Sequence, residues 1–466
     1  MKLPYPKNPI INSKYNITYG ECLKMTDEEF RDWVYELRDE LLKIWDDEEI
    51  PPSVGKDEKD IVEDWKKLTD YDVEKFWVED ENYPEYLGFI KNFSKLGSSV
   101  NQFFPAMLKT RISGKSMYDY FSNDNLKIDF LRTMVHCFKE NNIHYDNPKT
   151  KIFPKLFQIF KLGLGQPVVN FNPLTARFLI EKYLSNERLD DTRSPHVSHK
   201  SSKMISEFLV FDPCAGWGGR LLGALCSKLP IRYIGIDPNP ENYKNNFYHG
   251  KYDRIGVGSY ECLGRFYVDK TSTKDIRLCR YFENHDSNLD YNFYIKKDTP
   301  DGMFVHKRWM AVSVQIDRLN DRPVLGSIDF ILTSPPYFDR GLYDNRRPLL
   351  KIKNYEDWRK KFLWSIVGNC NSVLKKNRIM VIHFSDIKPG ENELEQDTIT
   401  MCIKQGFDYV GKIGMVMSKI IGFNADAVKN SWFDKNTKTD YKIEPILVFK
   451  KIKESYETQK YTYSER

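Results

Sequence analysis

Two hydrophobic rhythms divide the chain. In the first third, apolar residues recur every three or four positions. Phe30, Trp33, Leu37, Leu41 and Ile44 fall on one face of a predicted helix. Thr26-Asp27-Glu28-Glu29 reads as its capping box, with Met25 and Phe30 placed as a hydrophobic staple. Pro51-Pro52 stops that helix, and Ile61, Trp65 and Leu68 start another. The stretches YLGFIKNFSKLGSSVNQFFPAMLKTRI (86–112) and DFLRTMVHCFKE (129–140) are read as further helices. From about residue 166 the rhythm changes to short apolar runs alternating with helical stretches. EFLVFD (207–212), RYIGID (232–237), SIDFILTS (327–334), RIMVIHFSD (378–386) and EPILVFKK (444–451) are predicted strands. RLLGALCSKL (220–229) and YEDWRKKFLWSIVGNCNSVLKK (355–376) are predicted helices between them. That alternation predicts an α/β fold, a mostly parallel sheet with helices on both faces. Ligands of such sheets sit at the carboxyl ends of the strands.

The length of 466 residues exceeds one ordinary core. The expected division is a helical N-terminal domain over 1–165 and an α/β domain over 166–466. The polar, aromatic stretch 245–310 breaks the strand–helix rhythm and reads as an insertion between the second and third strands. Hydrophobic residues at 41% and charged residues at 29% are those of a soluble globular protein. No run approaches the ~20 apolar residues of a membrane span, so no membrane partner is expected. The opening MKLPYPKNPI has no apolar core of a secretory signal. The eight cysteines are scattered without a C-x-x-C pair, which predicts reduced thiols, an intracellular location and no zinc or redox dithiol. A net charge of +5 permits a polyanionic partner without demanding one.

The chemistry concentrates at two strand ends. In FDPCAGWGGR (211–220) the first strand stops at Asp212, and Gly216, Gly218 and Gly219 permit a tight turn and close approach of a ligand to the backbone. A helix begins at or just after this turn, so its free N–H groups are expected to face the ligand. Some twenty residues on, Asp237 ends the next strand, where an acid is placed to bind a ribose diol. The glycines do not follow the G-x-G-x-x-G pattern of NAD sites. At the end of the strand 327–334 stand Ser334, Pro335, Pro336 and Tyr337. Two prolines end any helix or central strand, so this is a rigid loop at a strand terminus.

Taken in order, these stretches resemble the S-adenosyl-L-methionine (AdoMet)-dependent methyltransferases that act on exocyclic amino groups of nucleic-acid bases. DPCAGWGGR resembles their AdoMet-binding turn, of the form D-P-x-x-G-x-G, and TSPPY their catalytic loop. NFNPLTARFLI (170–180) resembles the segment that packs over the cofactor, and VQIDRLN (314–320) the third strand, where Asp317 is placed to reach the adenine. The likeness covers roughly 166–245 and 312–451. It implies a Rossmann-like AdoMet-dependent methyltransferase sheet with AdoMet as cofactor and no metal. The implied cofactor contacts are Phe171, Pro173, Asp212, Cys214, Ala215, Gly216, Trp217, Gly218, Asp237 and Asp317. The Ser334 hydroxyl and the Pro335 carbonyl would accept from the amine, and Tyr337 would stack on a base flipped out of the helix. Serine at the head of the loop is usual for cytosine N4, and Asp or Asn for adenine N6. DNA is the expected partner. RNA methylation, adenine N6 and an inactive nucleic-acid-binding scaffold are the alternatives, and restriction-modification is the usual setting of the family.

The chain departs from the family in three places. Trp217 stands where a small residue is common, and reads as a cofactor shield or as core. The insertion 245–310 is not at the usual place for target recognition, and no long segment follows the catalytic loop. Recognition is therefore assigned to 1–165, which is also a candidate surface for a partner protein, to the insertion, or to both. Lys109, Arg111, Arg277, Arg280, Lys307 and Arg308 are the candidate nucleic-acid contacts. His285, His306 and His383 have no metal-ligand neighbour at standard spacing. His383, near a strand end, reads as a satisfied core histidine ahead of a pocket residue, and Asp386 as a candidate for orienting substrate.

Overall fold

The computed structural model describes residues 17–22, 24–48, 58–104, 168–185, 208–236, 326–336, 354–384, 393–420 and 430–453. It also describes short pieces at 107, 110, 115–116, 119–120, 123–126, 149, 187, 263, 291–294 and 305–306. The described residues form a mixed α/β protein around one central sheet of eleven strands. The strands are β1 (Trp77–Val78), β2 (Tyr86–Ile90), β3 (Phe208–Asp212), β4 (Ile231–Ile236), β5 (Tyr291–Tyr294) and β6 (Val305–His306). They continue with β7 (Ile328–Thr333), β8 (Leu374–His383), β9 (Phe407–Lys419), β10 (Ser431–Asp434) and β11 (Thr439–Lys451). Their order across the sheet is β1-β2-β9-β11-β8-β7-β3-β4-β5-β6, with β10 paired to β11.

The five strands predicted in the second part of the chain all form. β4, β3, β7 and β8 run parallel, and β11 runs antiparallel to both β8 and β9. Every residue of β7 is buried, as a strand covered on both faces must be. Its one charge, Asp329, accepts from Lys375 Nζ at 2.7 Å and from the Leu209 amide at 2.8 Å. After a single helical turn at Tyr19–Cys22, the longer helices are α1 (Asp27–Glu48), α2 (Glu58–Asp70), α3 (Pro173–Leu184) and α4 (Gly219–Leu225). Next comes α5, which runs from Tyr355–Trp358 through a wider turn at Arg359–Leu363 into Trp364–Val373. The last is α6 (Leu394–Lys404). The capping box forms as read: the Thr26 amide donates to Glu29 Oε2 at 2.8 Å and the Glu29 amide to Thr26 Oγ1 at 3.2 Å.

The all-helical first third is corrected at two paired strands, β1 and β2. Residues 86–90, read as the start of a helix, are strand β2, parallel to β9. Gly88 sits at φ +151°, and a Cβ there would lie 2.4 Å from the Trp77 ring. Phe89 and Ile90 are fully buried. Burial against the sheet outweighs the apolar spacing, which by itself does not separate a short buried strand from a helix. Residues 98–103 form a tight 3₁₀ segment in the same predicted helix, and 129–140 lies outside the described residues. One hydrophobic core contains Ile61, Trp65 and Leu68 of α2 together with Leu174, Phe178, Phe330 and Val448. Arg177, fully buried on α3, donates Nη1 to the Leu68 and Thr69 carbonyls. From the insertion, β5 pairs antiparallel with β4 and β6 with β5.

Candidate functional site

The chain leaves β3 toward β4 on one side and returns to β7 on the other. The strand order therefore reverses between the parallel neighbours β3 and β7, and in an open α/β sheet such a switch point opens a crevice at the carboxyl ends of the two strands. The two motifs follow those two strands, the turn after Asp212 and the loop Ser334-Pro335-Pro336 after Thr333.

Asp212 binds the two strand ends together. Its carboxylate is fully buried. Oδ2 accepts from Arg220 Nε at 2.6 Å and from the Tyr233 hydroxyl at 2.6 Å. Oδ1 accepts from Thr333 Oγ1 at 2.9 Å and from the Cys214 amide at 3.1 Å. Arg220 also donates to the Cys214 carbonyl. Burial alone would lower the pKa of the Arg220 guanidinium, but the charge and hydrogen bond of Asp212, together with Tyr233 and Cys214, more than offset this and hold it above its ordinary value. Among the residues assigned to the cofactor, Asp212 turns its carboxylate inward, where it fastens the turn. Cys214 and Ala215 also belong to the core. Burial pushes the Cys214 thiol well above its usual range, and the Asp212 charge adds to this, so it stays protonated.

The glycines separate by their surroundings. Gly216 has φ +62°, and a Cβ there would meet nothing closer than Arg220 Nη2 at 3.7 Å. Gly218 has φ +76°, and its Cβ would lie 2.4 Å from the Phe104 ring. A Cβ on Gly219 would lie 2.0 Å from the Phe171 carbonyl oxygen. Only at the first of these three would a methyl fit without a clash. The other two let Phe104 and the 170–171 backbone close on the turn. The Gly219 amide, expected to point free toward a ligand, donates to Asn170 Oδ1 at 3.1 Å. Asn170 Nδ2 in turn donates to the Trp217 carbonyl at 2.6 Å. Trp217 is 6% exposed and meets Phe104 edge-on at 6.4 Å, so it is core.

Phe171 is half-buried and stands between two site groups. Its ring meets the His383 ring edge-on at 5.6 Å and carries the Arg220 guanidinium at 5.5 Å. Pro173 is the first residue of α3, capped by the Asn172 side chain, which accepts from the Leu174 and Thr175 amides. Asn92 and the Ser94 carbonyl bond to that cap, so the first third of the chain helps hold Phe171 in place.

Ser334 is partly exposed, Pro335 buried and Pro336 partly exposed. Ser334 Oγ lies 3.3 Å from His383 Nδ1, and His383 Nε2 lies 3.1 Å from Glu444 Oε2. Sequence reading placed His383 near the strand end and missed Glu444. Nothing local marks Glu444, because its partner lies 61 positions away on another strand. Asp237, Asp317, Tyr337, Asp386 and the candidate nucleic-acid contacts Lys109, Arg111, Arg277, Arg280, Lys307 and Arg308 lie outside the described residues. Among the described residues, no cluster of His, Cys, Asp and Glu could hold a metal ion, and no helix is long and apolar enough to cross a membrane.

No family model and no curated protein matches the chain. Among solved structures, the chain is similar to a candidate DNA modification methylase of Thermus thermophilus. The similar region covers 28% of this chain and 48% of that one, at 21% identity and a TM-score of 0.19. The chain thus spans about half the length of that structure, a likeness too slight to assign chemistry.

Proposed function

We propose that this protein transfers a methyl group from S-adenosyl-L-methionine to an exocyclic amino group of a base in DNA, with cytosine N4 favoured by Ser334. One observation carries the reading: the DPCAGWGG turn and the Ser334-Pro335-Pro336 loop leave adjacent strands at the reversal of the strand order, joined by the Thr333–Asp212 hydrogen bond. The strand arrangement, parallel β4-β3-β7-β8 followed by antiparallel β11, is in keeping with a Rossmann-like methyltransferase sheet.

Gly216, where a methyl would meet no clash, and the half-buried Phe171 ring are assigned to a nucleoside cofactor, with Asp237 and Asp317 assigned to its ribose and adenine. When bound, AdoMet supplies an electrophilic methyl on a sulfonium that leaves as a neutral thioether. The remaining work falls to the chain. A base amine is a poor nucleophile because its lone pair is delocalised into the ring. Ser334 Oγ and the Pro335 carbonyl accept its two N–H groups and favour tetrahedral nitrogen. Proline fixes that carbonyl in advance and brings no N–H to oppose the amine. Tyr337 stacks on the base and offsets part of the cost of flipping it. Most of the rate then comes from positioning.

Nucleoside mass spectrometry tests the reading directly. The full chain is incubated with methyl-labelled AdoMet and unmodified DNA or RNA, with Ser334→Ala as control. Label on N4-methylcytosine from DNA, absent with Ser334→Ala, is the expected result. Label on N6-methyladenine or on RNA keeps the mechanism and changes the substrate. AdoMet binding without transfer to either polymer supports the inactive scaffold.

A further inference from the structure

A serine hydroxyl both donates and accepts, so Ser334 serves an amine as an acceptor only when its own hydrogen points elsewhere. The structure supplies a place for that hydrogen. His383 Nδ1 lies 3.3 Å from Ser334 Oγ, and His383 Nε2 lies 3.1 Å from Glu444 Oε2. A carboxylate accepts only, so in the neutral ring the hydrogen is assigned to Nε2 and Nδ1 keeps a lone pair. That lone pair faces the serine hydroxyl. The ring is held in place: it is 8% exposed, Phe171 packs edge-on against it, and β8 pairs with β11 at His383↔Ile446, two residues beyond Glu444.

We propose that His383, its tautomer fixed by Glu444, is a positioning residue for Ser334. It takes the hydroxyl hydrogen and leaves the oxygen lone pairs free to accept from the amine. The proposal rests on the reading of Ser334 as an amine acceptor given above. It makes Ser334, His383 and Glu444 one unit drawn from three strands of the sheet.

Two measurements on the full chain test this. In histidine ¹⁵N-labelled protein, with the His383 signals assigned by their loss in His383→Asn, the Nε2–H tautomer is expected at neutral pH. The Nδ1 resonance should move in Ser334→Ala. The Nδ1–H tautomer would overturn the proposal without any assay of activity. In methyl transfer, His383→Ala and Glu444→Gln should lower kcat at least tenfold, with KM for DNA changed less than threefold. Both should keep the AdoMet-induced thermal shift, which shows that they fold. His383→Asn offers the Ser334 hydroxyl a side-chain carbonyl as acceptor in place of the ring nitrogen, so it should recover much of kcat. The double variant Ser334→Ala/His383→Ala should be no slower than Ser334→Ala alone, because one residue acts through the other. Additive losses, or full activity in His383→Ala, would overturn the role of His383 while the methyl-transfer reading stands. A wild-type protein that labels no base overturns that reading and this role with it.

Discussion

Thr333 Oγ1 donates a hydrogen bond of 2.9 Å to Asp212 Oδ1 across 121 positions of sequence. Thr333 is the last residue of β7 and Asp212 the last of β3, so this bond sets the spacing between the two loops of the site. Thr333→Val keeps the shape and deletes the donor. Asp212 retains Arg220 and Tyr233, so the expected loss is about 1 kcal/mol, read by urea unfolding. Turnover should fall further than stability does, because Ser334 follows directly on the lost anchor. Full turnover in Thr333→Val would show that the bond serves the fold alone. Asp212→Asn leaves the buried Arg220 without its counter-charge, and a loss of about 3–5 kcal/mol is expected.

Gly216 and Gly218 look alike in sequence and should answer differently to alanine. Both have positive φ, which costs an L-residue about 1 kcal/mol. Gly218→Ala adds a methyl 2.4 Å from the Phe104 ring, and overpacking of that kind costs a further ~1–3 kcal/mol. Gly216→Ala adds one at ordinary van der Waals distance from Arg220 Nη2 and the Cys214 carbonyl, with no clash. Unfolding should show the larger loss in Gly218→Ala. Titration with AdoMet should show the larger loss of affinity, tenfold or more, in Gly216→Ala. The reverse ranking would remove Gly216 from the cofactor site.

The parts of this molecule legible in sequence are those decided locally. The capping box at Thr26 and Glu29, the buried run ILT before Ser334, and the glycine turn after Asp212 each carry their signal within a few residues. Strand β2 was misread because Tyr86–Ile90 is apolar enough for either element, and what decides is β9, more than 300 positions away. The inward bonding of Asp212 was hidden for a related reason. A strand-end acid beside a glycine turn suggests a ligand, while two of its partners, Tyr233 and Thr333, are 21 and 121 positions distant. The ring of Phe104, which explains Gly218, likewise comes from the first third of the chain.

Phe89 measures how firmly that first third is joined to the rest. It is fully buried on β2 and stacks on Trp432 of β10 at 4.5 Å and 13°. A methyl on Gly414 of β9, its register partner, would lie 2.4 Å from the same ring. Phe89→Ala should cost about 3–5 kcal/mol. Because residues 61–104 share a core with α3 and α4, the variant should unfold in one transition at lower temperature in calorimetry. Two separated transitions would mean that the segment melts independently of the sheet.

Lys91 and Asp434 give the same junction a dependence on pH. They form an ion pair in which the Asp434 side chain is 4% exposed and that of Lys91 21%, so solvent screens it less than a surface pair. Burial alone would raise the Asp434 pKa. The hydrogen bonds from Lys91, Thr437 and the Asn436 amide, with the Lys91 charge, more than offset it and hold the carboxyl below its ordinary value. A carboxyl depressed in the folded state contributes stability above its unfolded pKa of about 3.9, and that contribution is lost as pH falls through the lower folded value. Asp434→Asn should therefore be less stable than the wild type at pH 7, by about 1.5–3 kcal/mol. The gap should narrow steadily below about pH 4 as the wild-type carboxyl takes up its proton. Thermal unfolding of the two proteins in parallel from pH 7 down to the acid limit reads this directly. A gap that stays constant would mean that Asp434 acts through its hydrogen bonds to Thr437 and Asn436, with no contribution from its charge.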